Sequence, residues 1–502
     1  MEEYKKIKKK MKTGKAAGPY GIPPEVLKLC DLDDIILEFA NKFISNLEKP
    51  DQWSENNLIP IPKSGNLSLV DNYRGISLSQ ITLKAINSML LNRIKPVFDP
   101  LLRPNQNGFR SGRSTTAQIL TLRRIIEGVK AQNLQAVITF IDFSKAFDSI
   151  HRGKMLKILL AYGIPPQLVE AIGKIYEDTR ARVITPDGET EFFGISAGVL
   201  QGDTLAPYLF IIVLDYVLRE AINGREEELG FTIKRRQSRR VPAIKITDLD
   251  FADDIALLSD EIQQAQQLLQ QIEISSAKVG LHLNAKKTEY MSYNQPINIE
   301  LKTRRNTTLK AVGDFKYLGA WMSCSEKDIK IRKAQAWTAC HKMRKIWTSK
   351  LPRKTKIRLF ESTVESVLLY NSETWTLTKQ LEKGIDGTYT RMLRTALNVK
   401  WQQHMTNEEL YGNLPKVSKR IQERRLRLSG HCIRHEEEEG SKVILWDPIH
   451  GHPNHGRRNI TYINNIKADT GLETNEELRT AMMDRDTWKD FIRLARGNSR
   501  PK

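Results

Sequence analysis

Over roughly the first 320 residues, segments of helical period alternate with short runs of β-branched and aromatic residues; beyond them helical period prevails. Ala136-Val-Ile-Thr-Phe-Ile141 is an unbroken β-prone run, which predicts a strand ending on the carboxylate of Asp142. Between Ile246 and Asp260 two apolar runs flank Asp253 and Asp254, predicting a hairpin with both acids at its tip. The turn-rich stretch Asn57-Leu-Ile-Pro-Ile-Pro-Lys-Ser-Gly-Asn66 predicts the break of a helix. Further on, Ile331, Ala334, Trp337, Cys340, Met343 and Trp347 recur at helical spacing, while Lys330, Lys333, Lys342 and Lys345 take other faces. A helical unit with a basic surface is therefore expected over residues 326–400. No repeat or low-complexity linker marks a clean boundary, and the pattern as a whole is that of an α+β chain.

The two adjacent acids carry the chemistry. Asp253 and Asp254 repel each other, and Phe251, Ala252, Ile255, Ala256, Leu257 and Leu258 exclude the water that would screen them. A hard divalent cation held by carboxylate oxygens relieves that cost. Taken alone, the pair also reads as an exposed Asp-Asp turn. Two-metal phosphoryl transfer needs acids converging from different strands around ions about 3.5–4 Å apart. Asp142 with Asp253 and Asp254 would supply them, although spacing alone leaves open whether their strands are neighbours.

Charge narrows the partner. Against 59 Asp and Glu stand 79 Lys and Arg, a formal net charge of +20, which favours polyanions through counterion release. The 502 residues, 40% of them hydrophobic, suffice for more than one domain and exclude a disordered tail. Cys30, Cys324, Cys340 and Cys432 are too widely spaced for a disulfide framework or a zinc ribbon, so a reducing, intracellular setting is expected. The start lacks a signal-peptide core, and the longest apolar patch, Leu209 to Leu214, is far too short to span a membrane. The amino-terminal lysines read as a solvated helix face or as a nuclear address.

Several motifs then carry a resemblance by their order. Lys15-Ala-Ala-Gly-Pro-Tyr-Gly-Ile-Pro-Pro-Glu25 comes first, followed by Asn72-Tyr-Arg-Gly-Ile-Ser-Leu78 and Asn107-Gly-Phe-Arg-Ser-Gly-Arg-Ser114. Next are Asp142 to Asp148, Gly198-Val-Leu-Gln-Gly-Asp-Thr-Leu-Ala-Pro207 and Phe251-Ala-Asp-Asp254. Gly280-Leu-His-Leu-Asn-Ala-Lys-Lys-Thr288 and Tyr317-Leu-Gly319 close the series. In this order they resemble the reverse transcriptase of a non-LTR retrotransposon, the long interspersed element type. The resemblance implies a right-hand polymerase with a split β-α-β palm. Its parts would be an amino-terminal extension (1–42), fingers and palm (43–320), a helical thumb (321–400) and a basic carboxy-terminal region (401–502).

The same resemblance implies RNA-directed DNA synthesis from an RNA template, a DNA primer and deoxynucleoside triphosphates, with two Mg²⁺ ions. Asp142 and Asp253 would bridge the ions, Asp254 would support them, and the Phe143 carbonyl would complete a site. Lys287, with Lys286 as rival, would protonate the departing pyrophosphate. Arg110, or Arg74, would grip the triphosphate, and Arg113 the template. Phe147 would be the steric gate against a ribose 2′ hydroxyl. Gln201 and Gly202 would lie against the nascent base pair, and Tyr317 and Gly319 would hold the primer end. Arginines from Arg424 onward could contact RNA or target DNA. His431, Cys432, His435, His450, His452 and His455 lack paired-ligand spacing, so zinc is not expected. Tyr20, Gly75, Ala206 and Asn371 depart from the family pattern, and the upstream endonuclease domain of a complete element is not expected here. An inactive or domesticated fragment that only binds RNA or DNA is therefore the alternative; the oligomeric state is open.

Overall fold

The computed structural model describes residues 1–63, 65–296, 299–448, 451 and 460–496. Helix α1 (Glu2–Lys10) opens on two glutamates and closes on three lysines, which suits the two ends of its dipole. Tyr4 and Ile7 are its buried residues, in the same core as α2 (Ile81–Phe98), and the lysines form a largely solvated face.

Strand β1 (Glu55–Pro62) pairs antiparallel with β2 (Tyr73–Leu78). The stretch 57–66, expected as the break of a helix, is instead a strand as far as Pro62. Beyond β3 (Ala136–Ile141), β4 (Arg180–Thr185) extends this first sheet, running parallel to β1 at residues 55–58 only. Pro60 and Pro62 are tolerated because one edge of β1 is open where they lie.

A second sheet carries the acids. With β5 (Asp248–Phe251), β6 (Asp254–Ser259), β7 (Glu289–Tyr293) and β8 (Lys310–Ala311), β3 forms a five-stranded sheet of order β8-β7-β3-β6-β5. Helix α3 (Thr115–Gln132), capped by Ser114 Oγ accepting the Ala117 N–H, covers one face; Ile138, Phe140, Ala256 and Leu258 share its core. Helices α4 (Ala206–Ile222) and α5 (Ile262–Lys278) share the other core with Val137, Ile141, Ile255 and Leu257. Both faces are covered, which is why β3 and β6 are apolar at successive positions instead of alternating. No described helix is long and apolar enough to cross a membrane.

A small hairpin, β9 (Lys316–Tyr317) with β10 (Ala320–Trp321), leads into the helical part. In α6 (Ser325–Lys342) the buried apolar residues are Ile329, Ala336 and Cys340, while Ala334 is exposed. The apolar stripe expected along 331–347 is corrected accordingly: α6 ends at Lys342, so Trp347 reaches the core from a separate short helix. Helix α7 (Lys379–Ala396) packs in the same core, and α8 (Val417–Arg434) bridges two. Val417 and Ile421 join the core of α6 and α7, whereas Leu426, Cys432 and Ile433 join a second one with Trp488 and with Ala117 and Leu120 of α3. Residue 400 therefore does not separate two cores.

Candidate active site

Ile141 of β3 lies opposite Ile255 of β6, which sets Asp142 beside Asp254. Asp254 in turn faces Phe251 of β5, leaving Ala252 and Asp253 as a two-residue tip. Ala252 closes that tip at φ +56°, a left-handed conformation that costs a residue bearing a Cβ about 1–2 kcal/mol. Three carboxylates thus converge from neighbouring strands.

Their electrostatics are linked. Burial, then the charges of Asp253 and Asp142, push the Asp254 carboxyl up to about 6. Burial also raises Asp253, with Asp142 adding to the rise and Arg74 opposing it. Asp142 is raised by burial against the pull of Lys287, a hydrogen bond from Asn284, and Lys63. Lys287 Nζ lies 3.9 Å from Asp142 Oδ2, and among the described residues it is the sole ion-pair partner of any of the three acids. Hard carboxylate oxygens at the ends of neighbouring strands are the kind of donor that a divalent cation of the magnesium type prefers. In donor chemistry the residues fit the expected metal, although their oxygens do not all lie within 4.8 Å of one another; among the described residues only those of His435, Glu437 and Glu438 form such a group.

A stability consequence follows from the sign of the shift. A folded carboxyl raised from 3.8 to about 6 binds its proton more tightly than the unfolded chain does, so metal-free stability falls as pH rises between these values. Asp254 is more than a third exposed, so water screens much of this. Asp254→Asn is expected to stabilise the metal-free protein by about 1 kcal/mol at pH 7 and by little at pH 4; urea unfolding in a chelator measures both.

The remaining expected site residues divide. Arg74 on β2 is exposed and its charge reaches both Asp253 and Asp254. Gln201 accepts the Ser77 N–H at 2.6 Å through its carbonyl, and Gly202, at φ +114°, lies so close to β2 that a Cβ would stand 2.6 Å from the Ser77 carbonyl oxygen. The segment 198–202 is thereby held between β2 and the Asp142–Asp148 turn, where the Val199 N–H donates to the Phe147 carbonyl at 2.8 Å. The Phe147 ring, half-buried, stacks on Phe210 with centroids 4.5 Å apart. Phe143 forms a β-bridge with Leu283, which brings the Lys287 loop against Asp142.

Four expectations are corrected. Arg110 does not face the acids: it is 7% exposed, its Nε pairs with Asp99 at 3.1 Å, and its other donors go to the carbonyls of Asp99, Arg103 and Gln106. Arg113, 9% exposed, pairs with Glu438 at 3.2 Å. Arg425 is buried against Asp469 at 2.7 Å, so of that arginine run it has no free surface to offer RNA. Tyr317 is buried, with its hydroxyl donating to the Leu249 carbonyl at 2.9 Å under the acid-bearing hairpin; Gly319, at φ +83°, belongs instead to the tip of β9–β10. The rings of His431 and His435 lie tilted at 47° with centroids 4.1 Å apart, whereas His450, His452 and His455 lie outside the described residues. Unforeseen in the sequence were Lys63, Asn284 and Gln106. Lys63 sits in the stretch taken for a helix break, and Asn284 is two residues before the favoured lysines.

The family described as reverse transcriptase (RNA-dependent DNA polymerase) matches residues 61–322, more than half of the chain. The chain belongs to the reverse transcriptase family. Residues 339–370 also match a domain of unknown function. The Pol polyprotein from type-1 retrotransposable element R2 of Popillia japonica is 25% identical over 73% of this chain and 50% of its own length. That of Nasonia vitripennis is 25% identical over 63% of this chain and 30% of its own. The RNA-directed DNA polymerase from mobile element jockey of Drosophila funebris is 24% identical over 84% of this chain and 46% of its own. The chain thus spans half or less of the length of these three relatives, which are non-LTR retrotransposon proteins. Members of the family are in general dependent on divalent metals. The mixed helix-and-sheet architecture is the right-hand polymerase fold of this family.

Proposed function

We propose that the chain catalyses RNA-directed DNA synthesis at Asp142, Asp253 and Asp254, taking an RNA template, a DNA primer and deoxynucleoside triphosphates. The convergence of these three acids beside exposed cations carries the reading. Two Mg²⁺ ions held there would activate the primer 3′ hydroxyl and offset charge on the transferred phosphate. Asp142 and Asp253 would hold both, with Asp254 in support. Arg74 and Lys63 stand where their charges meet a triphosphate, and Lys287 stands where it can give a proton to departing pyrophosphate. The backbone at Gly202 supports the nascent pair through its contact with β2. With Tyr317 buried, the Leu318-Gly319 tip is the part of β9–β10 left to meet a primer strand. Such an activity would belong inside the cell, in nucleus or cytoplasm.

Extension of a DNA primer on RNA by the purified chain in Mg²⁺ tests the reading; binding without extension would favour a silent nucleic-acid-binding protein. The Phe147 ring, fixed by its stack on Phe210, is proposed to exclude the ribose 2′ hydroxyl. Phe147→Ala is expected to narrow the preference for deoxynucleotides by about 10- to 100-fold, the range over which a pocket discriminates by shape. Competing dGTP and GTP on one template gives the ratio, and an unchanged ratio would assign Phe147 to packing alone.

A further inference from the structure

We infer that Gln106 is a positioning residue for the Asp253–Asp254 hairpin, acting through the backbone of Ala252; the assignment rests on the polymerase reading of that site. Gln106 is 1% exposed. Its Oε1 accepts the Ala252 N–H at 2.8 Å and the Gly108 N–H at 2.7 Å, while its Nε2 donates to the Ala252 carbonyl at 3.3 Å. One side-chain amide therefore grips both backbone polar groups of the residue at φ +56°. Among the described residues no other side chain hydrogen-bonds to Ala252.

The surroundings make this grip rigid. Residues 105–107 run alongside the outer edge of β5: the Asp250 N–H donates to the Asn105 carbonyl at 3.1 Å, and the Asn107 N–H to the Asp250 carbonyl at 2.9 Å. Gln118 of α3 ties the two together, its Nε2 donating to the Asn105 carbonyl at 2.7 Å and the Asp250 carbonyl at 3.0 Å. Gly108 permits the approach, since a Cβ there would stand 2.3 Å from the Ala252 nitrogen. A left-handed alanine carrying two repelling acids next to it has no local reason to keep its shape. The buried amide supplies one. Asn107-Gly-Phe-Arg110 thus serves the site from below, as a strut, with Arg110 fixing the loop that presents Gln106.

Gln106→Met removes the grip at nearly constant volume, and Gln106→Asn, one methylene short, is the milder second variant. Two readings are taken together: amide hydrogen exchange over residues 249–256, and steady-state primer extension. Exchange in that segment is expected to quicken in both variants, more in Gln106→Met. In that variant kcat is expected to fall about 100-fold, the cost of misplacing reacting groups by about 1 Å, with KM for the deoxynucleotide nearly unchanged. Adding Ala252→Gly, which holds a positive φ without a Cβ penalty, is expected to recover about fivefold of the lost kcat. Ile172→Ala, a buried change outside the palm sheet, is the control for lost stability and should show none of this pattern. Wild-type exchange in the 249–256 segment of Gln106→Met would overturn the assignment, as would a kcat loss shared by Ile172→Ala. Exchange is read whether or not the protein extends primers, so an inactive wild type would fault the polymerase reading while the exchange result still decides for or against the grip.

Discussion

Asp253→Asn is expected to lower primer extension about a thousandfold or more while leaving the affinity for an RNA–DNA duplex within a few-fold of wild type. Charge stabilisation by metal at a transferring phosphoryl is worth several kcal/mol, and Asp253 sits at the hairpin tip facing Asp142, where loss of a formal charge weakens the hold on any cation between them. The substitution keeps shape and polarity, and the turn geometry is set by Ala252 and Gln106, so the fold should survive. Binding depends instead on long-range attraction between a chain of charge +20 and phosphates, which one acid barely alters. Extension rate and duplex affinity, measured at one salt concentration, separate the two. Substantial extension by Asp253→Asn would mean that the chemistry runs elsewhere.

The chemistry of this chain was legible where local pattern and tertiary demand agree. Asp142 ends a run that is apolar on both faces because helices cover both, and Asp253-Asp254 interrupts a second such run, so strands and acids announced themselves. Residue 371 shows the same legibility through a departure: Asn371 stands at φ +58° where the family commonly has Gly, and Asn is the residue after Gly that best tolerates that conformation. What stayed hidden were side chains whose task depends on a distant partner. Arg110 looks like any phosphate-gripping arginine until Asp99 and three carbonyls are found around it. Gln106 is an unremarked polar residue in a loop until Ala252, 146 positions away, is placed against it. Prolines misled at β1 because an open edge, a property of sheet topology, removes their cost. Along α6, period alone set the apolar face, and the end of the helix at Lys342 put Trp347 on a different element.

Arg123→Met is expected to destabilise the protein by about 3–5 kcal/mol, the usual cost of leaving a buried charge unpaired. Arg123, on α3, is 8% exposed and ties the helix covering the acid-bearing sheet to the start of α6. Its Nη1 donates to Thr374 Oγ1 at 2.7 Å, and its Nη2 to the Trp321 carbonyl at 2.9 Å and to Asp328 Oδ2 at 3.1 Å. Asp328, at the start of α6, is fully buried, and the indole of Trp375 donates to the same oxygen at 2.9 Å. Without the guanidinium, one hydrogen bond from Trp375 and the more distant Arg332, 3.9 Å away, must offset a buried carboxylate. Asp328→Asn should therefore recover much of the loss when added to Arg123→Met, although alone it is destabilising; the four-way cycle in urea gives the coupling. Because α6 starts directly after the β9–β10 hairpin, the same change should loosen the α6 helical region on the acid-bearing sheet and shorten extension products on a long template more than it slows the first addition. Additive losses in the cycle, with product length unchanged, would mean that the α6 region is held by its apolar contacts and that Arg123 is dispensable to its placement.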